Sequence, residues 1–211
     1  MSWRLASRLS VITLAVLVVI LVLVAQNGRT LFVQATHIFT GTPALQGDDL
    51  GGTPAPNFTL TDQNGQQVSL AQFRGKPVIL TFLYTHCPDA CPLTAEHLHQ
   101  SMQQLGSDAS KIGVIAVSTD PVGDTPSAAR SFSQAHTMQD YWHYLIGSNV
   151  QLSPVWKAYN IDVQGQSQSM SMSHSLALYV IDKQGHERAF FSSTDFTPDQ
   201  ITKDMRILLQ E

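Results

Sequence analysis

Hydrophobic and polar positions divide the chain into three zones, and each zone predicts a different structure. Residues 9–25 are almost wholly aliphatic and carry no charge. Residues 26–53 are mostly polar, with glycine, proline and aspartate in their second half. From residue 54 onward, short apolar runs alternate with longer segments in which apolar residues recur at helical spacing. This alternation predicts a folded domain over residues 54–211.

The domain is predicted to begin with a β-hairpin, because alternating segments around Leu60 and Val68 flank the turn sequence 62–65. The later apolar runs predict strands at residues 77–84, 112–117, 142–146, 176–181 and 187–191. The helical patterns end at residues 105, 135, 159 and 209. Strands that alternate with helices predict an α/β fold, with a mainly parallel sheet, an antiparallel edge and helices on both faces. A strand, a pair of thiols and a helix in this order are typical of a thioredoxin-like fold.

The aliphatic zone at residues 9–25 predicts a transmembrane helix, which needs about 17–25 residues. Arg4 and Arg8 precede it. By the positive-inside rule, residues 1–8 are cytoplasmic and the rest of the chain lies on the outer, periplasmic side of the plasma membrane. We therefore expect a single-pass protein.

A cleaved signal peptide is the alternative to this anchor. Its apolar core is usually only about 7–15 residues long and ends in a small-x-small cleavage site. The sequence Val24-Ala25-Gln26 provides no good site of this kind. We expect an uncleaved signal anchor, followed by a flexible tether at residues 26–53.

The charge of the chain gives no sign of a nucleic-acid partner. The formal net charge is −4, and charged residues make up only 13% of the sequence. A nucleic-acid surface would need clustered lysine and arginine.

The two cysteines of the chain, Cys87 and Cys91, follow the apolar run 77–84. If a helix begins near Cys87, the two thiols lie on one helical face with Cβ atoms about 5–6 Å apart. They could then bind one metal ion, exchange electrons or close a structural disulfide. Two thiolates are too few for a structural zinc site, which takes four ligands, but they suit the soft ion Cu(I).

His174 is the candidate for a third, neutral ligand among the eight histidines. It lies in a polar run directly before the predicted strand 176–181. In a thioredoxin-like sheet, the loop that enters this strand lies beside the thiols. Met170 and Met172 in the same run are soft donors that could make transient copper contacts, but methionine more often serves to fill a hydrophobic core.

Asp120 and Asp124 follow the second buried strand and could form a carboxylate pair for acid–base chemistry or a hard metal. We favour a turn instead, because Asp-Pro and Asp-Thr-Pro sequences initiate loops and precede helices.

Three segments resemble motifs of the SCO/SenC family of copper-binding, thioredoxin-fold assembly proteins. The stretch 84–92, Tyr-Thr-His-Cys-Pro-Asp-Ala-Cys-Pro, resembles the family signature. Residues 118–126 resemble the second motif, and His174-Ser175 with the later sequence 182–185 resembles the third. The resemblance covers residue 54 to the C-terminus, and the three motifs occur in the family's order.

The resemblance implies a copper metallochaperone that binds Cu(I), or Cu(II), through Cys87, Cys91 and His174. Its partner would be the copper-accepting subunit of cytochrome c oxidase, at the dinuclear copper centre, with an upstream copper donor or thiol reductant. The family usually has Asp directly before this histidine, where the chain has Ser173. Such an Asp could orient the imidazole.

The alternative function is enzymatic. In a thiol-disulfide reductase, Cys87 and Cys91 would be catalytic and would keep the oxidase cysteines reduced, with Cys87 as the attacking thiol. Redox thioredoxins usually carry a proline before the late strand, and the run around His174 has none.

Two further interpretations explain less of the sequence. Residues 55–58 and 75–77 resemble peroxiredoxins, but no cysteine is grouped with the threonine and arginine that such peroxidases use. A binding domain stapled by an ordinary disulfide is the remaining alternative.

Overall fold

The computed structural model describes residues 44–164, 173–174, 177–192, 194 and 196–211. The predicted cytoplasmic segment, the anchor at residues 9–25 and most of the tether lie outside these residues. Within the described parts of the chain, no helix has the length and apolarity needed to cross a bilayer.

The elements that the hydrophobic pattern predicts occur in the predicted order, and the described residues contain three further strands. The strands are β1 (Asp48–Pro54), β2 (Thr59–Asp62), β3 (Gln67–Ser69), β4 (Val78–Leu83), β5 (Gly113–Ser118), β6 (His143–Ile146), β7 (Val163–Gln164), β8 (Ser173–His174), β9 (Leu178–Ile181) and β10 (His186–Phe191). The α-helices are α1 (Ala90–Leu105), α2 (Pro126–Ala135), α3 (Asn149–Ala158) and α4 (Pro198–Gln210), and short 3-10 helices cover Leu70–Phe73 and Gly106–Lys111.

Eight of these strands form one mixed sheet in the order β1-β10-β9-β4-β5-β6-β2-β3. Only the β4–β5 and β5–β6 pairs are parallel, and the other described pairs of this sheet are antiparallel. The expectation of a mainly parallel sheet is therefore wrong, because both margins are built from locally returning chain such as the β2–β3 and β9–β10 hairpins. The predicted thioredoxin-like α/β architecture itself is confirmed.

Strand β4 lies in the middle of the sheet order, and all six of its residues are buried. Ile79 and Leu83 face a core shared with helices α1, α2 and α4. Leu80 and Phe82 face the opposite core, which includes Trp156 of α3. The continuous apolar run thus reflects burial of both strand faces, as in other central strands.

The folded domain begins before the predicted boundary at residue 54. Strand β1 pairs antiparallel with β10, with Asp48 opposite Phe190 and Pro54 opposite His186. The backbone N–H of Gln46 donates to the carboxylate of Asp204 in α4, at 2.9 and 3.1 Å from its two oxygens. Residues 45–53 therefore belong to the domain and not to the tether, a correction that polar composition alone did not reveal.

Candidate metal centre

The two thiols meet at the junction between β4 and α1. Helix α1 begins at Ala90, with Asp89 as its N-cap, so Cys87 precedes the helix and Cys91 lies in its first turn. The helix thus starts three residues after Cys87. The thiols still come together, because the backbone N–H of Cys91 donates to Cys87 Sγ at 3.3 Å.

The two cysteines have different surroundings. Cys87 is partly exposed, Cys91 is fully buried, and both are in the reduced form. The Cys91 thiol donates a hydrogen bond to the Cys87 sulfur, and this bond, with backbone N–H groups at the start of α1, lowers the pKa of Cys87 from 9.0 to about 5. The same hydrogen bond and burial raise the pKa of Cys91 well above its usual range. At neutral pH the site therefore holds one thiolate and one thiol.

Tyr84 is a further member of the site that the sequence interpretation did not identify. Its side chain is buried and forms a hydrogen bond with the Cys87 sulfur. Burial and the nearby Cys87 charge raise the pKa of Tyr84, so the phenol stays protonated and donates to the thiolate. Its place in the signature stretch, three residues before Cys87, was the available signal.

The predicted third ligand, His174, lies in β8, where its backbone is paired with Val163 of β7. The side chain of His174 lies outside the described residues, as do Met170 and Met172. The direction of β9, the strand that follows His174 in the chain, can be compared with that of β4. Strand β9 is antiparallel to β4, with Leu178 opposite Thr81, so β9 begins at the sheet edge where β4 ends. Ala177, three residues after His174, accepts a hydrogen bond from Thr81 Oγ1 at 3.0 Å.

The other described histidines contact neighbouring side chains, although the buried Nδ1 atoms of His97 and His99 have no hydrogen-bond partner within the described chain. His86 is exposed, with Nδ1 3.0 Å from Thr85 Oγ1, and His143 lies 2.9 Å from the carboxylate of Asp62. The remaining rings contact aromatic or acidic side chains: His97 with Phe196, His99 with Tyr141, His136 with Phe132, and His186 with Asp182. His37 lies outside the described residues.

One trio of potential hard-metal ligands, His86, Asp120 and Asp124, has donor atoms within 4.8 Å of one another in the described chain. Asp120 Oδ1 accepts from the backbone N–H groups of Val122 and Gly123 at 3.1 and 2.8 Å, as in a turn. Asp124 already accepts four hydrogen bonds. Their geometry supports the turn interpretation and leaves Asp124 no free acceptor for a cation.

Comparison with known families identifies one matching family model. The SCO1/SenC model matches residues 48–210, which begins at β1 and ends in α4. The match includes all three motifs on which the resemblance was based, and that resemblance is thereby confirmed.

Two relatives illustrate the range of the similarity. The chain is 30% identical over 159 residues to the mitochondrial SCO2 homologue of Bos taurus, covering 71% of this chain and 58% of the relative. It is 24% identical over 153 residues to the SCO1 homologue of Bacillus subtilis, covering 71% of this chain and 79% of that protein. The chain thus spans little more than half of the bovine relative.

Two solved structures share the fold. Bradyrhizobium japonicum ScoI, solved with copper bound, is 28% identical with a TM-score of 0.66, covering 74% of this chain and all of that one (100%). Apo Sco1 of Thermus thermophilus is 27% identical with a TM-score of 0.67, covering 79% of this chain and 98% of that one.

Proposed function

Because the chain belongs to the SCO1/SenC family, we propose that it carries copper as cargo and serves the assembly of cytochrome c oxidase. In this proposal Cys87, Cys91 and His174 bind the ion, and the copper-accepting oxidase subunit receives it. The anchor at residues 9–25 would hold the domain at the outer face of the plasma membrane. An upstream donor would load the site.

The observation that carries this proposal is the pair of thiols itself. Cys87 and Cys91 converge where a buried strand meets a helix, and Cys87 combines partial exposure with a lowered pKa. Thiolates bind Cu(I), so the site offers one ligand that is already deprotonated at neutral pH. Bound copper in the Bradyrhizobium relative, at 28% identity, supports the same cargo.

The unequal exposure of the two cysteines also suggests how copper would leave the site. Cys91 is fully buried, whereas Cys87 is partly open to solvent. An incoming thiolate or imidazole of an acceptor would displace Cys87 first, and Cys91 would hold the ion until a second acceptor ligand arrived. Transfer by stepwise ligand exchange never releases free copper.

The direct experiment is Cu(I) titration of the reduced protein in competition with bathocuproine disulfonate, with X-ray absorption of the loaded form. We expect one copper bound by two sulfurs and one nitrogen. His174→Ala should leave the stoichiometry intact but weaken affinity by about tenfold or more, because three-coordinate copper loses a ligand.

His186→Ala is the matched control, since His186 is a partly exposed histidine beside Asp182 at the β9–β10 turn. It should bind copper as the unaltered chain does. Unchanged affinity and coordination in His174→Ala would disprove the three-ligand site.

The unequal thiols support a second candidate, thiol-disulfide reduction. The Cys87 thiolate would attack one sulfur of a target disulfide, forming a mixed disulfide and releasing one target thiolate. Cys91 would give up its proton and attack the Cys87 sulfur, leaving a Cys87–Cys91 disulfide and a target reduced by two electrons. A thiol reductant would then return the pair to its starting state.

A trapping experiment separates the two functions. In Cys91→Ser the second step is blocked, so a reductase should accumulate a mixed disulfide between Cys87 and the oxidase subunit. Recovery of that species by non-reducing electrophoresis favours reduction. Copper transfer by the unaltered chain without any trapped species favours the metallochaperone.

A further inference from the structure

Asp124 belongs to the second motif, residues 118–126, to which copper binding assigns no role. Its side chain is only 5% exposed, although a buried carboxylate is costly unless it is hydrogen-bonded. Burial raises its pKa. Burial of the Asp124 carboxylate therefore has to be offset by hydrogen bonds.

Four donors surround this carboxylate. Oδ1 accepts from the backbone N–H of Thr85 at 2.8 Å and from Thr85 Oγ1 at 2.7 Å. Oδ2 accepts from Ser118 Oγ at 2.6 Å and from the hydroxyl of Tyr144 at 3.0 Å. We call Asp124 and the three residues that donate to it, Thr85, Ser118 and Tyr144, the Asp124 network. Two carboxylate oxygens have room for about four such donors, so the carboxylate is saturated.

The network joins the three parallel strands at one edge of the sheet. Thr85 follows β4, Ser118 ends β5, and Tyr144 lies in β6. Asp124 therefore connects the thiol-bearing segment to β5 and β6, the two strands that follow β4 on one side of the sheet order. The sheet ladder cannot do this, because β4 ends at Leu83, four residues before Cys87.

Cys91 and Tyr84 make hydrogen bonds with the Cys87 sulfur, but the backbone hydrogen bonds described around the turn are long or lie before it. Cys87 N–H donates to the Tyr84 carbonyl at a long 3.4 Å. Thr119 N–H donates to the Leu83 carbonyl at 2.8 Å, which fixes the strand end but not the turn. Both groups of Thr85 that reach Asp124 lie two residues before Cys87. Their loss would free the turn to move relative to Cys91, whose place is set by α1.

We infer that Asp124 is a positioning residue for the thiol site, which holds the turn from Thr85 to Cys87 and thereby sets the Cys87 sulfur against Cys91. Copper is the proposed cargo of that site, so the copper measurement rests on the proposed function. The geometry of the two thiols can be measured without copper.

The test compares Asp124→Ala, Asp124→Asn and Thr85→Val in the full chain, purified in detergent and reduced. Two readouts are taken: the rate at which the two-electron oxidant diamide closes the Cys87–Cys91 disulfide, and Cu(I) affinity against bathocuproine disulfonate. Asp182→Ala is the matched control. Asp182 is as buried as Asp124, at 5% exposure, but it follows Ile181, which pairs with Val78 at the opposite end of β4.

Asp124→Ala should weaken Cu(I) binding about ten- to hundredfold, the usual effect of losing a group that orients a ligand. Disulfide closure should slow by a similar factor. Asp124→Asn should stay within about threefold on both readouts, because its carbonyl can accept from Thr85 while the hydroxyls of Ser118 and Tyr144 turn to accept from its amide. Thr85→Val, which keeps the N–H but loses the hydroxyl, should fall between the two.

Asp182→Ala should lower thermal stability without changing either thiol readout, so a merely structural role of Asp124 would look like this control. Unaltered thiol readouts in folded Asp124→Ala overturn the inference. So does Asp124→Asn that is as defective as Asp124→Ala, because charge would then matter and not position. If Asp124→Ala does not fold, Thr85→Val decides, and unaltered readouts there overturn it.

The readouts also separate this inference from the proposed function. If the unaltered chain binds no Cu(I), the proposed function fails, whereas the disulfide rates still test the role of Asp124. Normal copper binding by the unaltered chain and equal disulfide rates in all variants would reject only the positioning role.

Discussion

Cys87 and Cys91 have the same chemistry in the sequence but opposite acidities in the fold. Cys87 receives N–H donors at the start of α1 together with the Cys91 thiol, whereas Cys91 is buried and donates to Cys87. Hydrogen bonds to an anion stabilise it, and burial opposes it. The two cysteines therefore have different roles because of where α1 begins. Cys87 is a thiolate that can bind or attack, and Cys91 remains a protonated thiol.

This difference predicts a two-stage titration. In the reduced, metal-free protein, thiolate absorbance near 240 nm should rise by one equivalent around pH 5 and show no second step through the neutral range. Cys87→Ser should remove the acid step. A single step near pH 9, the ordinary value for both thiols, would contradict the assignment.

The lowered pKa of Cys87 also makes the stability of the reduced domain depend on pH. Folding lowers the pKa of Cys87 from 9.0 to about 5, so ionised Cys87 stabilises the fold. The reduced domain should gain stability relative to Cys87→Ser as pH rises from about 5 towards 9, and lose that gain as pH falls through about 5. Urea unfolding at several pH values measures the difference. A difference that does not vary with pH would argue against a stabilised thiolate.

At the scale of elements, β1 shows how one buried carboxylate can attach an edge strand. Asp204 is fully buried in α4, and its oxygens accept the Gln46 N–H just before β1. Gly47 lies so close to β10 that a Cβ there would come within 2.7 Å of the Phe190 carbonyl oxygen. Attachment of β1 thus depends on a contact with a helix more than 150 residues later.

Asp204→Ala should therefore loosen β1 before it affects the thiols. We expect a loss of about 1–3 kcal/mol in the free energy of unfolding, the usual cost of a buried N–H without its acceptor. Limited proteolysis should then cut within residues 45–54. Lys203→Ala, at the exposed neighbouring position, should change stability by less than about 0.5 kcal/mol. Equal protease resistance of the two variants would show that Asp204 does not hold β1.

The raised pKa of Asp204 gives a separate prediction. Its effect on stability changes with pH in the opposite direction to that of Cys87. Burial raises the pKa of Asp204 from 3.8 to about 6, so the folded state favours the protonated acid. Its contribution to stability is full below about pH 4 and is lost as pH rises through about 6. Relative to Asp204→Asn, which does not titrate, the unaltered chain should become less stable over this range in urea unfolding. A stability difference between the two proteins that does not change with pH would exclude the raised pKa of Asp204.

For the molecule as a whole, the boundary of the domain has a practical consequence. Residues Leu45–Glu211 form one compact unit, in which β1 is the edge strand, so β10 would become the edge if β1 were lost. An uncovered edge strand invites pairing with other chains. The position of β1, three strands away from β4 in the sheet order, separates this effect from the thiol site.

A chain of residues 54–211 should accordingly be less stable and more prone to aggregate than one of residues 45–211. Urea unfolding and light scattering would show the difference. Copper affinity per folded molecule should agree within about threefold, because the lost strand lies three strands away from β4 in the sheet order. Equal stability of the two chains would mean that β1 adds nothing to the fold.

Local pattern alone determined much of this protein. The buried run of β4, the hairpin at Leu60 and Val68, and the end of α1 at Gly106, which has a φ of 59°, could all be predicted, because strand burial, turns and helix ends depend on residues close in sequence. The spacing of Cys87 and Cys91 likewise predicted a shared site.

Tertiary structure decided what depends on distant partners. The place of β1, the partners of Asp124 and the opposite acidities of the thiols all come from contacts between elements, and no periodicity encodes them. Residues 48–53 look like tether because an edge strand buries little apolar surface, and Asp124 looks like a turn residue because its partners lie on three strands. Composition and spacing specify which groups are available, whereas burial and hydrogen bonding across the sheet specify their protonation and position.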